Sequence, residues 1–150
     1  MTVFAHVLVA LLASTPTTPA ANGDVKPATA VAVVRQVALP LATGVKAVLG
    51  TPSCPSAVPN RVGAVFQCTV PIGDATVPFL VQIRSAALTA TQLWAVIPAT
   101  VAQAVAGVGS KCGVRKMLTG PPGSIIACVA AGRSVPVRIS TLAGAVVRVS

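Results

Sequence analysis

The side chains able to react, ligate or carry charge are few. Within 150 residues there are four Cys, one His (His6), two acids (Asp24 and Asp74, with no Glu) and eleven Lys or Arg. A Ser-His-Asp or Cys-His site needs a base. His6 lies in an N-terminal apolar run that reads as an export signal, so the processed chain has no His. Glycoside hydrolysis needs two carboxyls in one cleft, but Asp24 falls in a Pro/Thr/Ala-rich tail and Asp74 in a turn. Mg²⁺ and Ca²⁺ need several oxygen ligands, more than these acids supply. Structural zinc favours closely spaced Cys pairs, whereas here Cys54 and Cys68 enclose 13 residues and Cys112 and Cys128 enclose 15. Gly107-Val108-Gly109-Ser110-Lys111 lacks the spacing of a phosphate loop. The expectation is a protein that is not an enzyme and has no cofactor and no metal site.

What remains is charge. The formal net charge is +9. Lys111, Arg115 and Lys116 cluster around the third cysteine, and Arg84, Arg138 and Arg148 are expected to project from the polar faces of strands. Such a surface meets anionic material. Nucleic acid is not expected: Trp94 is better read as a sheet residue than as a stacking platform. Outside the cytoplasm the partner class is an anionic envelope glycolipid or polysaccharide, or an extracytoplasmic protein. The alternative is a secreted inhibitor or protein-binding scaffold presenting the Pro-rich, Cys-bounded loops 55–60 and 113–122.

The elements that must carry these residues are built from small side chains. Hydrophobic residues are 54% of the chain and aromatics 3%, with 27 Ala and 27 Val. Charged residues are 9%, against the usual ~25%. An Ala/Val core buries little area per residue, so cross-links matter. Residues 3–13 form an apolar run interrupted only by His6. It is shorter than the ~20 residues a bilayer span needs and suits a signal h-region, with cleavage after Ala20 in Thr18-Pro19-Ala20. No Cys near that point supports a lipid anchor, and no transmembrane helix is expected. Residues 21–39 read as a Pro/Thr/Ala-rich tail, in which the β-branched run 31–37 leans towards a strand.

Four Cys in an exported chain read as two disulfides, for which three connectivities exist. Local pairing, Cys54–Cys68 and Cys112–Cys128, is favoured by spacing and by internal repetition. Gly63-Ala64-Val65-Phe66-Gln67-Cys68 matches Gly123-Ser124-Ile125-Ile126-Ala127-Cys128. Cys54 and Cys112, Leu39-Pro40 and Ile97-Pro98, and Val77-Pro78 and Val135-Pro136 each recur at an offset of 58. This predicts two tandem modules, 40–97 and 98–150. The alternative is one domain with crossed bridges. Each module reads as a helix followed by a three-stranded antiparallel meander, an α+β fold. The helices are expected at 41–49 and 99–106, opened by Pro40 and Pro98 and closed by Gly50 and Gly107. Strands follow at 62–70 and 124–130, then at 79–84 and 135–140, where apolar and polar residues alternate. Third strands are expected at 92–97 and 145–149. Pro78 and Pro136 fall near strand starts, where a missing donor is tolerated.

Cys54-Pro55, Gly63-x-x-Phe66-x-Cys68-x-Val70, the Gly turn and the alternating strand together resemble a domain-of-unknown-function family of actinobacterial lipoproteins and secreted envelope proteins. The resemblance covers about 40–97. The second copy departs from it at Gly113, Ile126 and Ala130. It implies a location and a fold and assigns no activity.

Overall fold

The computed structural model describes residues 25–85 and 87–150, so the expected signal at 1–20 lies outside the described residues. Their order is α1 (Pro27–Gly44), β1 (Val65–Ile72), β2 (Ala75–Arg84), β3 (Ala87–Gln92), β4 (Ala95–Pro98), α2 (Ala99–Ala106), β5 (Lys111–Cys112), β6 (Met117–Gly120), β7 (Ile125–Ala130), β8 (Arg133–Ile139) and β9 (Val146–Arg148). The fold is α+β. Its sheets run β1-β2-β3, β4-β6 and β5-β7-β8-β9, and every pairing is antiparallel. No helix among the described residues is long and apolar enough to cross a membrane.

The strand expected at 31–37 is instead the middle of α1. Ala30, Val34, Ala38 and Ala42 are its buried residues, and a spacing of four marks one face of a helix. Ala has the highest helix propensity, and Pro27 occupies the first turn, where its missing N–H costs little. The helix expected at 41–49 is corrected too. Pro40 lies inside α1 rather than at its start, on an exposed flank where solvent reaches the carbonyl its missing donor frees. The helix ends at Gly44. The chain then turns through Lys46 (φ 55°), and Leu49 bridges Ile72 of β1.

β1 and β2 form a hairpin across Gly73-Asp74, with Cys68 opposite Phe79 and Val70 opposite Val77. The alternation expected in β2 is present: Phe79, Val81 and Ile83 are buried, while Leu80 and Arg84 are exposed. With Val34, Ile72 and Val70 they make the larger core beneath α1. Burial of Phe79 alone is worth about 2–3 kcal/mol. β7 and β8 form the second hairpin across Ala131-Gly132, whose positive φ values, 50° and 74°, are those of a type I′ turn. Beneath α2 the core is Ala102, Ala106, Cys112, Cys128, Val135 and Val137.

Pro78 and Pro136 explain where the third strands stop. Each lies inside an inner strand of its sheet, β2 or β8, and not near the strand start that the sequence suggested. Pro78 accepts from Leu93 N–H (3.0 Å) and Pro136 from Val149 N–H (3.0 Å). Neither can return the bond, so the ladder closes there on one side only. Residues 92–97 are therefore not one strand. β3 ends at Gln92, and Ala95–Pro98 departs as β4 to pair with β6. The segment 113–122, expected as an open loop, contains that β6 strand.

The same bonds frame the open end of each hairpin. Gly63 N–H donates to the Ile83 carbonyl (2.8 Å) and Gly123 N–H to that of Ile139 (2.7 Å). Each cysteine lies five residues past its glycine. Cys68 faces Phe79 and Cys128 faces Val135, so the second hairpin is two residues shorter per strand between cysteine and turn. Pro78 and Pro136, 58 apart in sequence, stand at different positions, one opposite Thr69 and the other opposite Ala127. The bridges are Cys54–Cys68 and Cys112–Cys128. The second joins β5 to β7 at a directly opposed pair.

Candidate functional site: a basic cleft beside the second disulfide

Three of the six expected cations come together. Lys111 in β5, and Arg115 and Lys116 in the β5–β6 connection, line one open cleft of about 560 Å³ with Gln103, Cys112 and Met117. All three cations are exposed. The start of α2 forms another wall, through Pro98, Ala99 and Thr100. That helix has no side-chain cap. The Lys116 carbonyl accepts from Ala99 N–H (2.8 Å), which ties the basic segment to the helix start.

Asp74 fixes this segment from the other hairpin. Its carboxylate accepts from Lys116 N–H (2.7 Å) and Met117 N–H (2.8 Å). Arg115 Nη1 donates to the Asp74 carbonyl (3.3 Å). The bond from Lys116, with help from that of Met117 and from the Arg115 charge, holds the Asp74 carboxyl below its ordinary range. Sequence reasoning gave Asp74 a turn role only. It does occupy the turn, but its partners lie more than forty residues away, where no local pattern could point.

The other three cations stand apart. Arg84 closes β2, and its Nε donates to Gln82 Oε1 (3.2 Å). Arg138 lies on the outer face of β8, between Ile125 and Val147 on the flanking strands. Arg148 does not share that face. It is paired with buried Val137, and directly opposed residues share a face, so it rims the helix side of the sheet. There it lines a second depression of about 490 Å³ with Ser134, Pro136 and Val149. Trp94 is partly exposed between β3 and β4, and its carbonyl accepts from Gln92 Nε2 (2.6 Å).

Among the described residues, no group of three His, Cys, Asp or Glu side chains comes together. The cleft thus offers three exposed cations. It can hold an anion and offers no nucleophile paired with a base. Compared with family models, with curated proteins and with solved structures, the chain matches none.

Proposed function

We propose that this is a secreted, non-catalytic protein of the cell envelope that binds anionic envelope components through the basic cleft. The observation that carries the reading is the convergence of Lys111, Arg115 and Lys116 on one cleft. Asp74, the only acid among the described residues, has both carboxylate oxygens engaged by backbone N–H groups. The cleft therefore keeps an uncompensated positive charge. Two disulfides support an oxidising compartment.

We read the architecture as two tandem helix-plus-meander modules, the second shortened. The recurring glycine bonds and the local bridges support this reading. The inhibitor reading draws less support. Val58, in the first loop, is buried and accepts from Val25 N–H (2.8 Å), and the second loop is partly β6. Both segments are thus partly tied to the body of the protein, although Pro55–Ala57 and Gly113–Lys116 are exposed.

The test is retention on dextran sulfate, with elution by a salt gradient. Exposed charge contacts are screened, so the wild type elutes at moderate salt. Lys111→Ser/Arg115→Ser/Lys116→Ser elutes in the wash, whereas Arg84→Ser/Arg138→Ser stays close to wild type. Equal weakening by the two sets would mean diffuse charge and no site.

A further inference from the structure

Three segments meet at the Gly73-Asp74 turn. Gly73 N–H donates to the Val48 carbonyl (2.8 Å). A side chain at Gly73 would meet Met117 Cγ at 3.0 Å and Ala47 Cβ at 3.5 Å, and Asp74 binds the Arg115–Met117 backbone from the same turn. The loop after α1 and the β5–β6 connection are therefore neighbours, although some 70 residues separate them.

Each loop carries a valine with almost nothing against it. Val48 is 81% exposed, and Val114 is as open as in an extended peptide, at 102%. Isolated exposed apolar residues are common on protein surfaces. These two differ in sharing one end of the molecule with Lys46, Lys111, Arg115 and Lys116, all exposed. The one acid there, Asp74, is already engaged. Apolar tips on the same two loops as exposed cations, with the one carboxylate engaged, match the layered chemistry of an anionic bilayer surface: phosphate outside, hydrocarbon a few ångströms below. An acidic protein or a polysaccharide would use the cations and leave the valines in water.

We infer that this end of the molecule docks on an anionic lipid surface. Val48 and Val114 enter the acyl boundary, and the four cations engage headgroup phosphates. The inference rests on the anion-binding reading above and goes beyond it by naming a lipid surface and the two apolar anchors.

The test uses the full oxidised chain in co-sedimentation with vesicles of phosphatidylcholine alone or mixed with phosphatidylglycerol. Binding is expected only where phosphatidylglycerol is present. Lys46→Ser/Lys116→Ser should weaken it about 25-fold at low salt, about fivefold per cation. Val48→Thr/Val114→Thr keeps side-chain shape, and circular dichroism checks the fold. This variant should bind vesicles about tenfold more weakly while retaining its affinity for dextran sulfate. Vesicle binding unchanged by the valine substitutions would overturn the docking inference and leave anion binding standing. Retention on dextran sulfate without vesicle binding would do the same. Loss of both would remove both readings.

Discussion

Removing each disulfide in turn tests how the two sheets are held. The separations are 14 residues for Cys54–Cys68 and 16 for Cys112–Cys128. Chain entropy makes the two bridges nearly equivalent, at about 3 kcal/mol each. The native environments differ. Cys112 and Cys128 are both fully buried, as is Cys68, whereas Cys54 is only partly covered. Replacement by Ala leaves a methyl-sized void for each buried sulfur, at about 1 kcal/mol apiece. Cys112→Ala/Cys128→Ala should therefore cost about 5 kcal/mol and Cys54→Ala/Cys68→Ala about 4 kcal/mol. The consequence should also be local. The first sheet keeps Phe79, Ile72 and Val34 without its bridge. The second sheet is left with Ala102, Ala106, Val135 and Val137 beneath α2 and with Ile139 packed on Ile97. Urea unfolding gives the totals, and amide hydrogen exchange in β2 and β8 gives the distribution. If the first bridge proves the costlier, or if β8 keeps its protection without the second, the argument from core size fails.

Acid should loosen the junction between the hairpins. The Asp74 carboxyl is held below the ordinary value of 3.8. A depressed folded value means its contribution is complete above that pH and is lost as pH falls through the folded value. Exchange of the Lys116 and Met117 amides should rise below about pH 3.8, and Asp74→Ala should show the fast exchange already at neutral pH. Unchanged amides would mean that the carboxylate does not hold the segment. At the second hairpin, Ala131 adopts φ 50°, which Asn tolerates better than Ala. Ala131→Asn creates the favoured Asn-Gly turn and should stabilise by about 0.5–1 kcal/mol. A lower thermal midpoint would contradict this.

What was legible in the sequence was whatever local pattern decides. Alternation in β2 and β8, the Gly-containing turns, α2 with Gly107 after it, and the pairing of nearby cysteines all follow from short-range rules. The misreadings have a common root in small side chains. In 27–44, Ala and Val fill both a period of two and a period of four. Only packing on the sheet shows that Ala30, Val34, Ala38 and Ala42 belong together. For the candidate site, Lys111, Arg115 and Lys116 were legible because they are sequence neighbours. Asp74, Lys46 and Val48 were not, because the fold alone brings them there. Arg148 was placed on the wrong face because strand register decides it, and one residue of shift reverses every side chain.

The two middle-strand prolines have a consequence for where the chain goes next. After Gln92, residues 93–98 have two destinations: onward along β2, or across to β6. Both would satisfy the same backbone groups. Pro78 removes one hydrogen from the first route, and the chain takes the second. The link between the hairpins is thus decided by subtraction rather than by attraction. A residue with an N–H at position 78 would restore the competition. Strand β4 would then be drawn between two partners, and the connection that carries Arg115 and Lys116 would keep its bonds to Asp74 but lose the β4–β6 pairing beside it.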